Sequence, residues 1–313
     1  MKKSLLLICI SLCIASCQSE MDSVNPINTW SQIKSYPAQK ANDVVFLQDT
    51  LIIADNASTP IFYTGNNNVA SWTATSSSVG SVAPLISYAG GLYCGAMGSV
   101  YYSNNFCRTW VQKNSGLPNN LVISDLVATD IGLYVCGNGL YYSKDKGDTW
   151  NGISIPGITN VLSIVYIDHT LIASTNAGIY NSVDNGKSWV LLNSSSGISS
   201  ASISKLAVFE NAIYAGSSIV ANSEVYASYD KGNSWVKSHG LDVLGPNSFY
   251  AFQFYHGTLY VASTHGVFES VNNGRDWVYS GCDNAVSLIA NGSVLYCGTA
   301  SNGLWSTVMQ EVY

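Results

Sequence analysis

Apolar and polar positions along this chain alternate in short bursts, and the bursts recur. Gly132-Leu133-Tyr134-Val135-Cys136 is followed by Gly139-Leu140-Tyr141-Tyr142-Ser143, two runs of strand length, rich in β-formers and opened by glycine. An inner strand is expected before them, near Leu121 to Ala128, and an outer strand after them, opened by Thr149-Trp150. Units of this shape begin near Val44, Ala83, Leu121, Val161, Ile203, Phe249 and Ala285. Tryptophan marks each outer strand. Trp72, Trp110, Trp150, Trp189, Trp235 and Trp277 are separated by 38, 40, 39, 46 and 42 residues, the period of a four-stranded propeller blade. The chain therefore reads as all-β, a seven-bladed β-propeller of four-stranded blades. The seventh unit stops after Gly303-Leu304-Trp305-Ser306-Thr307, and no Trp-led strand follows it. Asn28-Thr29-Trp30-Ser31-Gln32 has the form of the missing strand, and Trp30 lies 42 residues before Trp72. The N-terminal strand is expected to close the last blade, which removes the free sheet edges that invite aggregation.

Each Trp ends an octapeptide. The clearest copies are Ser143-Lys144-Asp145-Lys146-Gly147-Asp148-Thr149-Trp150, Ser182-Val183-Asp184-Asn185-Gly186-Lys187-Ser188-Trp189 and Ser228-Tyr229-Asp230-Lys231-Gly232-Asn233-Ser234-Trp235. Weaker copies run from Ser103 to Trp110, with Asn105 for Asp and Cys107 for Gly, and from Ser270 to Trp277, with Asn272 for Asp and Asp276 for the hydroxyl residue. A worn copy ends at Trp72. The chemistry fits a tight turn: Asp accepts backbone N–H bonds, Gly supplies positive φ, and Trp plugs the hairpin into the core. The octapeptide resembles the Asp-box, or BNR repeat, of sialidases, sortilin-type receptors, xyloglucan-hydrolysing propellers and photosystem II assembly factors. That resemblance implies structural roles for Asp145, Gly147, Trp150, Asp184, Gly186, Trp189, Asp230, Gly232 and Trp235. Ion binding in the Asp145/Asp148 turn is the alternative.

The first residues carry a different signal. Lys2 and Lys3 precede an apolar run from Leu5 to Ile14, too short for a mature membrane span and of export-signal form. It ends in Ile14-Ala15-Ser16-Cys17, which resembles a bacterial lipobox. The resemblance implies cleavage after residue 16, lipidation of Cys17 and several acyl chains, enough for stable anchoring. Gln18 after the cysteine resembles outer-membrane sorting. A plain secretory signal is the other reading. The expected organisation is a signal peptide over 1–16, a lipidated tether over 17–27 and the propeller over 28–313, a monomer held on the membrane of the cell envelope. Removing Lys2 and Lys3 leaves 11 basic against 19 acidic residues and a formal charge of −8, which disfavours nucleic acid as a partner. Five cysteines remain in the body, an odd number that cannot pair fully. Cys94, Cys136 and Cys297 recur at nearly the same place in three repeats and read as buried free thiols. A Cys107–Cys282 disulfide is not expected, since those blades lie far apart.

In a propeller the loops from strand D to A and from B to C gather around one channel mouth, away from the C to D turns. Sialidases, by resemblance, clamp a substrate carboxylate with three arginines and carry an early Arg-Ile-Pro segment. This chain has only Arg108 and Arg275, both inside octapeptide turns, and lysine does not replace a bidentate clamp. Sialidase chemistry is rejected. Hydrolysis of a neutral polysaccharide needs two carboxylates about 5 to 10 Å apart. Aligned repeats put Asp43, Pro84, Asp125, Ser163, Lys205, Ala251 and Ser287 at one position near the start of strand A. Asp43, Asp125 and Lys205, each two blades apart, are expected to face one another across the channel; a merely hydrated channel is the bland reading. The four histidines are scattered, and no His-x-x-His or Cys-x-x-Cys spacing appears, so neither a metal nor a cofactor is expected. Extra residues lie in a B to C loop around Ser217 to Ser223 and a D to A segment from Val236 to Ser248. Loops on a rigid scaffold commonly carry recognition, which makes Asp43, Asp125, Lys205, Ser217, Asn222, Tyr250 and His265 the candidate binding residues. Two functions compete: a non-enzymatic binding or assembly module that recognises a protein or glycan, similar to the photosystem II assembly factors, and a glycoside hydrolase similar to the xyloglucan-degrading propellers. The latter pair two rings around a cleft, whereas one ring is read here.

Overall fold

A computed structural model describes residues 29–55, 61–65, 69–76, 79–80, 82–192, 197–198, 203–217, 223–241 and 247–308. The expected signal, Cys17 and the tether lie outside them. Among the described residues every regular element is a strand, and the strands form seven four-stranded antiparallel sheets. Six sheets run in chain order, as in blade three: Ile123–Thr129, Gly132–Gly137, Gly139–Ser143 and Asn151–Ile153. The seventh takes its inner three strands from Ala285–Asn291, Val294–Thr299 and Leu304–Val308 and its outer strand from Ser31–Gln32. Ser31 pairs with Ser306 and Gln32 with Trp305, and Ile33 N–H continues the ladder to Leu304 C=O at 2.9 Å. The ring closes as the tryptophan register requires.

The core is divided among the seams between blades. Val45, Ile52 and Phe62 of blade one pack on Leu85, Leu92 and Cys94 of blade two. Tyr93 and Val100 meet Leu133 and Trp150 at the next seam, and the other five seams follow suit. Strand B is the keystone. It is buried along its whole length in blades two to five because it has a blade on each face, and such strands read as continuous apolar runs rather than alternations. Outer strands carry exposed valines such as Val111, Val190 and Val236.

Two expectations shift. Outside blade one, whose outer strand starts on Trp72 itself, the outer strands start one residue after the tryptophan, as at Asn151 rather than Thr149-Trp150; in blade three the Trp150 N–H donates instead to Ser115 C=O of the neighbouring blade at 2.8 Å. Gly116, with φ +93, makes that approach feasible: a Cβ there would stand 2.1 Å from the Trp150 carbonyl oxygen. Gly197 and Gly240 meet Trp235 and Trp277 in the same way. The cysteines also separate. Cys94 and Cys297 oppose Leu85 and Leu288, whereas Cys136 opposes Asp125, one register position on. It therefore faces the opposite seam, among Leu140, Ile155 and Ile164. All five described cysteines are buried and free of disulfides.

Candidate functional site

At the periphery, the octapeptide turns use up their polar groups. Ser143 Oγ donates to Asp145 Oδ1 at 2.7 Å and accepts from Gly147 N–H at 2.8 Å. Thr149 donates its N–H to Asp145 Oδ1 and its hydroxyl to Oδ2, at 2.8 and 2.5 Å. Asp184 and Asp230 receive the same pairs of bonds from Ser188 and Ser234. In blade six the polarity inverts: Asn272 donates to the Asp276 carboxylate at 2.7 Å and accepts the Asp276 N–H, so geometry survives an exchange of partners. Hydroxyl and amide donors hold Asp145 and Asp184 down at about 2. For Asp230, burial opposes the shift, but the bonds from Ser234 and Ser228 still leave it lowered. Gly147, Gly186, Gly232 and Gly274 all adopt positive φ, and Cys107 does so in glycine's place at φ +65. Asp148 is engaged by Lys113. Trp150, Trp235 and Trp277 are buried, whereas Trp189 is half-buried. Arg108 and Arg275 are exposed on these turns, and neither lines the central cavity.

The channel mouth is built differently. In six of the seven blades the pairing of strands A and B shifts at the start of strand A, between Ile123 and Asp125, Val161 and Ser163, or Ile203 and Lys205, for example. Such bulges re-aim side chains at strand ends. In blades three to seven the residue just past the shift is the aligned ring position, and Asp43 holds that position in blade one without a shift. Asp43, Pro84, Asp125, Lys205, Ala251 and Ser287 line a cavity of about 530 Å³ with Asn42 and Tyr250. Ser163, the seventh member of the ring, is buried behind it. A second cavity of about 650 Å³ continues along the strands past Val127, Val165 and Ala207. Lys205 lines both and stands at the waist.

Lys205 Nζ lies 3.0 Å from each oxygen of Asp125. Asp125 Oδ2 also accepts from Ser163 Oγ at 2.7 Å, and Ser163 Oγ accepts the Leu206 N–H at 3.3 Å. One carboxylate thus links blades three, four and five. Burial would lower the Lys205 pKa, but Asp125 outweighs it and the net shift is upward. Asp43 accepts the Leu85 N–H of blade two at 2.7 Å and its neighbour Val44 N–H at 3.1 Å. Burial raises its carboxyl to about 6, against the pull of those N–H groups and of Lys205. Asn42 Oδ1 and Ser287 Oγ, both in the lining, are buried without a hydrogen-bond partner.

The cavity therefore gathers Asp43, Asp125, Lys205 and Tyr250 of the candidate residues. Tyr250 is 43% exposed, a flat ring at the rim. Ser217 is fully buried and its hydroxyl accepts the Glu224 N–H at 2.7 Å, so it caps its loop instead of meeting solvent. His265 is half-buried outside the cavity, with Nδ1 unpartnered. Asn222 lies outside the described residues. The two long insertions do touch: Ser223 Oγ donates to Asn247 C=O and accepts the Asn247 N–H. Asn42 escaped the sequence reading because it precedes the aligned ring position. Among the described residues no group of three or more His, Cys, Asp or Glu is arranged to hold a metal.

No family model matches the sequence, and no curated protein matches it. Solved structures share its fold at low identity. YCF48 bound to D1 peptide superposes with a TM-score of 0.65 at 11% identity, covering 92% of this chain and 96% of that one. The GH74 xyloglucanase from Xanthomonas campestris gives 0.65 at 14% identity over 91% of this chain and 54% of that one. The extracellular domain of a proposed one-component system from B. thetaiotaomicron gives 0.64 at 13%, and this chain spans only 38% of its length. These likenesses concern the seven-bladed ring alone.

Proposed function

We propose that this is an envelope-anchored, non-enzymatic recognition propeller of the Asp-box type, lipidated at Cys17 and held on the outer membrane. Its mouth, between the D to A and B to C loops, takes a polar chain-like ligand, a glycan or a peptide. The observation that carries this is the pair of unpartnered buried polar atoms, Asn42 Oδ1 and Ser287 Oγ, which belong to two residues that line the same cavity as Tyr250. A buried polar group without a partner costs free energy that a ligand can restore, and an exposed tyrosine offers an aromatic face for stacking. A likeness in fold to a propeller bound to a peptide and to extracellular bacterial domains supports the same reading.

Asp43 favours one second reading, glycoside hydrolysis. Its carboxyl, raised to about 6, has the proton affinity of a general acid, and Asp125 lines the same cavity. Asp125, however, is committed to Lys205 and Ser163. Glycan and peptide arrays probed with the protein, run beside hydrolysis assays on the same sugars, decide between the readings. Binding that weakens about tenfold in Ser287→Ala and Tyr250→Ala, with no turnover, supports recognition. Turnover abolished by Asp43→Asn establishes the hydrolase. Silence in every assay rejects the mouth as a site. Independently, Cys17→Ser should move the protein from the membrane to the soluble fraction.

A further inference from the structure

The seam between blades six and seven holds a chemical pair that no repeat predicts. Cys282 directly follows the outer strand of blade six, Val278–Gly281, and Cys297 lies in strand B of blade seven, Val294–Thr299. Their Sγ atoms are 2.7 Å apart, an approach that leaves only a short movement to the roughly 2.05 Å of a disulfide bond. Both sit in one apolar cluster with Tyr260, Val267, Leu288 and Leu295. Cys282 is 8% exposed and Cys297 is sealed at 0%. Cys282 also adopts φ +58, a left-handed conformation uncommon for a side chain other than Gly, Asn or Asp. The backbone is thus turned sharply at the point that brings its thiol into the seam.

We propose that Cys282 and Cys297 are a covalent modification site, a dithiol that is oxidised to an intrachain disulfide riveting blade six to blade seven. The oxidant is a disulfide, either a small one such as oxidised glutathione or the active-site disulfide of a thiol oxidase. The Cys282 thiolate, the more accessible of the two, attacks one sulfur of that disulfide, breaks its S–S bond and releases one thiol. Cys297, deprotonated in turn, attacks the Cys282 sulfur of the mixed disulfide and expels the second thiol. Two protons and two electrons pass to the oxidant, and one S–S bond replaces two S–H bonds. The closed loop is short, residues 283–296, and spans the junction beside the blade that closes the ring. Cys94, Cys107 and Cys136 serve as internal controls: burial raises their thiols as it raises that of Cys297, so what sets the pair apart is the close approach of its two Sγ atoms.

The test needs no variant at first. The full chain is incubated with oxidised glutathione, alkylated, digested and mapped by mass spectrometry, beside a fully reduced sample. The expected result is one cross-linked peptide joining Cys282 to Cys297, two hydrogens lighter than the reduced pair, with Cys94, Cys107 and Cys136 alkylated after denaturation. The oxidised protein should melt about 5 °C above the reduced one, and Cys282→Ala, at the edge of the seam, should abolish that difference while Cys94→Ala leaves it. No cross-link after prolonged oxidation, or one through other cysteines, would overturn the proposal. A Cys282–Cys297 cross-link with unchanged melting would overturn its riveting role.

Discussion

The peripheral turns and the channel mouth are both rings of acidic and hydroxyl residues, yet they behave in opposite ways. On the periphery the same eight positions recur, both carboxylate oxygens of Asp145 and Asp184 are claimed by the residue four positions on, and these two acids are held low. At the mouth the ring position varies among Asp, Pro, Ser, Lys and Ala, the carboxylates reach across seams to other blades, Asp43 is held high, and two polar atoms lack partners. Repetition with saturation is what a stabilising device needs. Variation with leftover hydrogen-bonding capacity is what a binding site needs.

Four perturbations sharpen that contrast, beginning with the largest effect. Trp150→Ala should cost about 4 kcal/mol in denaturant unfolding, since the indole fills the seam between blades two and three and donates to Lys113 C=O at 2.9 Å. Lys205→Met should cost about 3 kcal/mol by leaving Asp125 charged and buried without its cation. The Lys205→Met/Asp125→Leu double variant should regain most of this; full additivity in the double-mutant cycle would break the link between the two.

The third test is acid titration of stability, where the two rings carry opposite signs. Asp43 has a folded pKa of about 6, above its unfolded value of about 4. The folded state takes up that proton first, so this group adds stability as pH falls from about 6 to 4 and costs stability above that window. Asp145 and Asp184 are depressed to about 2; their contribution is present above about pH 4 and is lost as pH falls toward 2. Asp43→Asn should flatten melting temperature against pH between 4 and 6 and leave the steeper loss below pH 4 untouched. The smallest effect belongs to Asp184→Asn. Blade two already runs its turn on Asn105, which donates to Thr109 Oγ1 at 2.7 Å and accepts the Thr109 N–H. The exchange should move the melting temperature by no more than a degree or two, while Asp184→Ala should move it several times further.

Blade number, strand order and closure by Ser31–Gln32 were legible because period, glycine and tryptophan each mark them independently. The ring position at Asp43, Asp125 and Lys205 was legible too, since aligned repeats fall on one register. What alternation cannot show is a bulge. A skipped residue such as Ser124 or Ser204 looks like any strand residue, yet it decides what faces the axis. Nor could it show that Ser217 is consumed by its own loop, or that Cys282 reaches Cys297 rather than a repeat-equivalent thiol. Those depend on where a connecting loop crosses a seam, a distance in space that spacing in sequence does not encode.

The closing strand sets the order in which the ring can assemble. Ser31 meets Ser306 and Gln32 meets Trp305, so among the described residues a strand made early must wait for one made some 270 residues later before it gains a partner. Each of the other six sheets can zip from local hairpins, whereas this one demands a loop spanning nearly the whole chain, the kind of contact that slows folding most. Until it forms, blade seven lacks its outer strand, even where Val44, Leu51 and Ile53 of blade one have already packed on its Tyr296 and Leu304. Completion is then a single late event, and refolding should show a slow, concentration-independent phase that truncation before Ile33 removes.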